Sequence, residues 1–365
     1  MNDKLNAICP YFAMFPLDYP MDIIKTHGGT SILDPFCGRG TTNMAARLNG
    51  LHSIGIDSSP VAYSIAQSKM VDVTPENIVS ECARILKQPS KKYAPRGEFW
   101  HMMYNPITLR NINKVRQTLL EDCSTPERIA LRGIMLGALH GPLRKDGTTS
   151  YLSNQFPRTF ASKPDYSIRY WKSNGYEIPP AVNLLDVVKL RAERYYSEDV
   201  GRSNGLVYHG DSTEGSTFDT ISDMISEENM VDLIITSPPY VGMNTYIPDQ
   251  WIRNWFVGGP SKVEYSVDGQ IHSGQKDFIK QLNKVWKNCE SLCKPKAKMA
   301  IRFGKVNSYG NDPLEVIKKT FDGTSWQFDS WKDAGKPTKG KRQSDLFLKD
   351  NISEYSEIDV LASLA

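Results

Sequence analysis

The run Val231-Asp-Leu-Ile-Ile-Thr236 leads directly into Ser237-Pro238-Pro239-Tyr240, and this junction constrains the fold more than any other segment. Six residues rich in branched apolar side chains have the length and composition of a buried strand. Two consecutive prolines cannot extend it, because neither donates an N–H to a ladder. They also fix the backbone, leaving a rigid turn whose carbonyls point away from the sheet bonding. At the carboxyl end of a parallel strand, such a turn faces the ligand crevice.

Similar strand signals stand on either side. Residues 31–35 read as a short strand ending at Asp34, followed by a turn holding Gly38 and Gly40 and a helix through Asn43–Leu48. Residues 51–57 read as a second strand, and Pro60 opens a helix to Met70, at a position where a missing N–H costs nothing. Further strands are expected at Gly205–His209, Ala300–Phe303 and Ser344–Leu348, whereas helical periodicity dominates from 75 to 204, most clearly in 106–122 and 126–140. The alternation predicts an α/β fold, a Rossmann-like doubly wound sheet with a mostly helical insertion. The expected division is 1–74 for the first part of the core, 75–204 for the insertion and 205–365 for the rest of the core with C-terminal strands.

Composition narrows the class. With 40% hydrophobic and 23% charged residues over 365 positions, the chain can bury a core and still carry an insertion. No apolar run reaches the roughly 18 residues of a membrane span. The opening Met1-Asn2-Asp3-Lys4 lacks the pattern of a secretion signal, so a cytoplasmic location and no membrane partner are expected. Cys9, Cys37, Cys82, Cys123, Cys289 and Cys293 complete no CxxC or Cys–His set, so no metal is expected and they read as reduced thiols. The net charge of +3 decides nothing, but basic residues exceed acidic ones in 75–205 and 276–350, which suits a polyanionic partner.

The segment Asp34-Pro35-Phe36-Cys37-Gly38-Arg39-Gly40-Thr41-Thr42 lets the backbone approach a ligand closely, and the helix after it presents unpaired N–H groups. Asp57 ends the next strand, where a carboxylate can accept bonds from ribose hydroxyls. A nucleotide-like cofactor is implied, although the full G-x-G-x-x-G fingerprint and a phosphate-loop lysine are missing.

Together these segments resemble the amino-group DNA methyltransferases, which make N4-methylcytosine or N6-methyladenine. Residues 34–42 look like that family's cofactor motif, Thr236–Tyr240 like its catalytic motif, and Tyr11–Pro16 like its second cofactor-side segment. Gly55–Pro60 and His209–Ser212 fit the second- and third-strand motifs, and a weaker echo lies near 340–350. The cofactor motifs precede the catalytic one, and the insertion falls between the second and third strand motifs, which leaves the target-recognition elements unassigned.

The resemblance implies S-adenosyl-L-methionine (SAM) as cofactor and double-stranded DNA as substrate, and it admits a companion restriction endonuclease. It implies that Asp34 and the backbone of Gly38 and Gly40 hold the methionine part, with Phe15 and Pro16 closing over it, and that Pro35, Phe36 and Thr41 also bind the cofactor. Asp57 would serve the ribose and Asp211 the adenine amine, with Ser58 and Ser212 also among the cofactor-binding residues. Ser237 and the carbonyl of Pro238, held by Pro239, would accept bonds from the target amino group, and Tyr240 would stack on a base flipped out of the helix. Ser rather than Asp or Asn at the head of the turn favours cytosine N4 over adenine N6. Cytosine C5 chemistry is not expected, because no proline in the chain is followed by cysteine. An RNA or protein-glutamine methyltransferase, or a regulator without activity, are the competing readings.

Within the insertion, residues 140–172 interleave basic and aromatic side chains. Arg144, Lys145, Arg158, Lys163 and Arg169 are expected phosphate contacts, as are Lys336, Lys339, Lys341 and Arg342 in a second basic loop. The aromatics of this stretch read equally well as the core of a helical subdomain, and Trp251 and Trp255, at helical spacing, read as core.

Overall fold

In the computed structural model, the apolar runs at 31–34, 52–57 and 231–236 are largely buried strands. The structure describes residues 4–11, 15–89, 94–143, 149–159, 161–239, 247–263, 274–304, 312–335 and 357–365. Two compact units are present. One takes in Tyr11–Ala66, Gly201–Thr245 and Asp268–Ala365; the other takes in Met1–Pro10, Gln67–Val200 and Tyr246–Val267.

The first is the sheet unit. Its strands are β1 (Ser31–Asp34), β2 (His52–Asp57), β3 (Gly205–His209), β4 (Val231–Thr236), β5 (Cys293–Gly304), β6 (Trp326–Gly335) and β7 (Glu357–Leu364). They form a seven-stranded sheet in the order β3-β2-β1-β4-β5-β7-β6. β1 to β5 are mutually parallel, and β7 runs antiparallel to both β5 and β6. The doubly wound α/β sheet expected from the sequence is therefore present. Strand order reverses between β1 and β4, which pair through Leu33 and Ile234, so the crevice of such a sheet opens at their carboxyl ends.

Every residue of β1 is buried, as parallel strands covered on both faces require. Leu33, Ile54, Ile56, Ile234 and Met299 join one core with Phe278, Leu282, Val285 and Trp286 of the helix Gln275–Glu290.

The sheet departs from the sequence expectation at its far edge. β5 starts at Cys293, seven residues before the apolar run at Ala300, because Lys294, Lys296 and Lys298 alternate through a half-covered stretch. A register irregularity accompanies it opposite Val231 and Leu233, and Lys296 takes a positive φ of 64°. The expected strand at Ser344–Leu348 lies outside the described residues. β6 and β7 make the edge there, and on one face of β7 Asp359 receives a two-pronged ion pair from Arg302 at 2.8 and 2.9 Å.

The second unit is helical. Proline opens its helices at Pro75, Pro106, Pro126 and Pro164, and Thr74, Asn105 and Thr125 cap three of them through side-chain oxygens. Its centre is aromatic: Phe99 lies 4.8 Å from Trp251, Trp100 lies 4.6 Å from Trp255, and Phe156 lies 5.3 Å from Trp171. Trp171 is wholly buried and donates its indole N–H to the Gln155 carbonyl at 2.8 Å. Arg253 is also wholly buried, with N–H groups on the carbonyls of Leu136 and Thr159 and on the side chain of Gln250. The mixed basic–aromatic stretch thus divides: Phe156 and Trp171 are core, whereas Arg158, Lys163, Tyr166 and Arg169 are exposed. No helix among the described residues is long and apolar enough to cross a membrane.

Trp171→Ala is expected to cost about 3–5 kcal/mol, by leaving a cavity and an unpaired Gln155 carbonyl. Arg169→Ala on the outer face of the same helix should stay within about 0.5 kcal/mol. Urea denaturation followed by tryptophan fluorescence and circular dichroism checks both.

Candidate active site

The site is built at the carboxyl ends of β1, β2, β3 and β4, all within the sheet unit. β1 delivers Asp34, whose carboxylate is 1% exposed. Its Oδ1 accepts the Phe36 N–H at 3.1 Å and the Thr236 hydroxyl at 2.7 Å, and its Oδ2 accepts the Thr42 hydroxyl at 2.6 Å. Burial lifts its pKa to about 6, against the lowering pull of these three bonds. A carboxylate so enclosed faces inward, and its bonds form a knot joining β1, its turn, the next helix and β4.

The turn after β1 then swings beside β2. The Cys37 N–H reaches the Ile56 carbonyl at 3.0 Å, and Gly38 and Gly40 both take positive φ. Gly40 could be nothing larger, because a Cβ there would lie 2.8 Å from that of Ala66. Pro35 is buried, with its carbonyl accepting the Ser212 hydroxyl at 2.7 Å, and Phe36 stands edge-on to Trp286 in the core. Thr41, in the first turn of the helix Thr41–Leu48, is 3% exposed and its hydroxyl has no hydrogen-bond partner.

Asp57 is half-buried at the end of β2. One carboxylate oxygen accepts the Gly38 N–H and the other the Ser59 N–H, both at 2.8 Å. Burial pushes its pKa up to about 6, while these two bonds and the nearby His209 act the other way. Each oxygen retains acceptor capacity beyond its single N–H bond. Next to it, Ser58 is exposed and its carbonyl lies 3.0 Å from His209 Nε2, and the His209 ring stacks on Tyr63 at 5.3 Å. After β3, Asp211 Oδ1 holds the Thr213 backbone and hydroxyl at 2.8 and 2.9 Å.

β4 ends at Thr236, wholly buried and bound to Asp34, and Ser237 and Pro239 are partly exposed beyond it with Pro238 buried between. Tyr240 lies outside the described residues. So do Arg144, Lys145, Lys336, Lys339, Lys341 and Arg342. Phe15 is buried edge-on against Tyr19 at 5.1 Å, and Pro16 is exposed.

Three residues of this arrangement were not singled out from the sequence: Thr42, Thr236 and His209. For Thr236 the available signal was a hydroxyl closing an apolar run; Thr42, in the first turn of a helix, carried none. Nothing in the sequence marked the stacking of His209 on Tyr63, which depends on β2 and β3 being neighbours.

Comparisons with known proteins bear on the cofactor half of this site. Residues 2–68 match the family model of the N6/N4 DNA methylases. Over 71 residues the chain is 34% identical to the type II methyltransferase M.BsoBI of Geobacillus stearothermophilus, covering 19% of this chain and 14% of that protein. The chain thus spans about one seventh of the length of that curated relative. Among solved structures, the rRNA methyltransferase AviRa of Streptomyces viridochromogenes aligns over 99% of this chain and 93% of its own, with 11% identity and a TM-score of 0.38. TrmN of Thermus thermophilus aligns over 96% of this chain and 48% of its own, with 8% identity and a TM-score of 0.32.

The match over residues 2–68 supports an amino-group DNA methyltransferase family and, with it, SAM as the cofactor. The residues fit that molecule. Asp57 offers two acceptor oxygens for a vicinal diol, Gly38 has open space where a Cβ would stand, and the buried Thr41 hydroxyl has no partner within the protein.

A raised pKa at Asp57 has a signed consequence. The ionised carboxylate is the better acceptor for hydroxyls, so SAM affinity should fall as pH drops through about 6. A weakening of roughly tenfold between about pH 7 and pH 5 is expected in titration calorimetry, and Asp57→Asn should flatten the profile. On stability the sign is opposite: folding holds the protons of Asp34 and Asp57 more tightly, so their contribution is present near pH 4 and lost as pH rises through about 6.

Proposed function

We propose that this chain transfers a methyl group to an exocyclic amino nitrogen of a base in double-stranded DNA, with N4 of cytosine as the target. The observation that carries the reading is the Ser237-Pro238-Pro239 turn at the strand-order reversal, bonded through Thr236 and Asp34 to the glycine turn. Cofactor and acceptor residues thereby meet at neighbouring strand ends, as an in-line transfer requires.

SAM, when bound, supplies an electrophilic methyl group on a sulfonium. Asp57 would accept its ribose hydroxyls, the glycine turn would hold its methionine part, and Asp211 would bind the adenine amine. On the substrate side, an exocyclic amine is a poor nucleophile because its lone pair is delocalised into the ring. The Ser237 hydroxyl and the Pro238 carbonyl accept its two N–H bonds and so hold the nitrogen pyramidal, with the lone pair directed outward. Because prolines fix this turn, the acceptors need no reorganisation when charge develops. Tyr240 stacks on the base after it has left the duplex.

Cytosine is favoured by Ser at the head of the turn, in keeping with the resemblance of Thr236–Tyr240 to the catalytic motif of the family. Exposed Arg158, Lys163 and Arg169 on the helical unit would neutralise phosphates, beside the exposed Tyr166 that stacks on Tyr170. A companion restriction endonuclease would share the recognition site.

Ser237→Ala should keep SAM affinity and lose methyl transfer by about 10²-fold or more, the scale of one preorganised contact. Mass spectrometry of nucleosides from DNA treated with labelled SAM reads both the rate and the product. Label in N6-methyladenine alone would move the target to adenine, and label in RNA alone would replace the polymer. Neutralising Arg158, Lys163 and Arg169 together should lower the slope of log affinity against log salt by about one unit per lost contact. An unchanged slope would remove them from the DNA surface.

A further inference from the structure

Asp34 has the properties of a joint. Three bonds converge on it from three segments: the Phe36 N–H from the glycine turn, the Thr42 hydroxyl from the helix after it, and the Thr236 hydroxyl from the last residue of β4. Thr42 and Thr236 are buried to the same degree as Asp34 itself, at 1% and 0% exposure. Thr42 Oγ1 also lies 3.3 Å from the Ile235 carbonyl, against 2.6 Å to Asp34. A hydroxyl has a single proton, so the shorter contact takes that of Thr42, and Thr236 donates its own to Oδ1 because an ionised carboxylate only accepts. That fixes the side chain of the residue next to Ser237.

We propose that Asp34 is a positioning residue that sets the Ser237-Pro238-Pro239 turn against the cofactor turn by holding Thr236, while touching neither cofactor nor base. The physical ground is directional. The β1–β4 ladder holds the strands side by side through Ile32 with Leu233 and Leu33 with Ile234, and it stops short of both turns. Beyond the ladder, the shared carboxylate supplies the cross-connection on which a displacement of Phe36 or Thr42 reaches Thr236. Charge-assisted bonds to one buried anion are short and about twice as strong as neutral ones, so the linkage is stiff. Preorganised acceptors lose their effect when displaced by a fraction of an ångström, which is why the connection acts on turnover.

This inference rests on the methyltransferase reading, and its test is built so that the two fail separately. Thr236→Val keeps shape and volume and removes only the hydroxyl; Thr236→Ser restores a hydroxyl on a smaller side chain. In hydrogen-exchange mass spectrometry of the full chain without cofactor, Thr236→Val should speed exchange across residues 34–42 by about five- to tenfold, the loss of one hydrogen bond, and Thr236→Ser should not. In turnover, Thr236→Val should lower kcat about tenfold with KM and Kd for SAM within about twofold, and Thr236→Ser should recover most of kcat. If Thr236→Val does not fold, Thr42→Val read by exchange across 231–237 replaces it, with the same expectation. Unchanged exchange across 34–42 overturns the inference whatever the activity, as does a kcat that Thr236→Ser fails to rescue. Faster exchange in a protein whose wild type methylates no nucleic acid supports the joint and overturns the function instead.

Discussion

A carboxylate buried at the end of β1 has to be satisfied from within, and the way Asp34 is satisfied organises this protein. Leaving such a group unpaired would cost several kcal/mol. The chain answers with two threonine hydroxyls and one backbone N–H, each from a different segment. Satisfying one polar atom therefore ties together the strand, its turn, the following helix and the adjacent strand across the order reversal. The cost survives as a pKa lifted to about 6, which shows that three bonds offset burial only in part.

A second carboxylate repeats the device one strand over, with a different outcome. Asp57 also collects N–H groups from two segments, Gly38 and Ser59, but it stays half-exposed. With Gly38 bound to Asp57 and Pro35 bound to Ser212, the glycine turn is anchored to β2 and to the loop after β3. Asp34 works inward and Asp57 outward, although both end β-strands and both precede short loops. Their difference is one of exposure and not of chemistry.

The helical unit shows the same economy applied to aromatics. Phe99, Trp100, Phe156, Trp171, Trp251 and Trp255 gather in one interior, and the buried Arg253 is held by carbonyl and amide oxygens. Arg158, Lys163 and Arg169, interleaved with Phe156 and Trp171, are exposed instead. A stretch that mixes cations and rings can serve a core and a charged surface at once, because a helix turns successive residues to different faces.

Sequence alone determined the kind of sheet and where its parallel strands end. Apolar runs closed by Asp34, Asp57 and Thr236-Ser237-Pro238 announce parallel strands ending at a crevice, since glycine and proline act locally through φ and the missing N–H. The length of β5 and the presence of β7 were not legible, because lysines alternate through the first and the second pairs with partners far along the chain. Tertiary structure alone decided which residues of the motif bond to one another. The partners of Asp34 are not legible in one dimension, because Thr236 arrives at 2.7 Å only when β4, two hundred residues away, is laid beside β1. Residue types and local turns are written in the sequence, but the partner that satisfies a buried charge depends on which strands become neighbours.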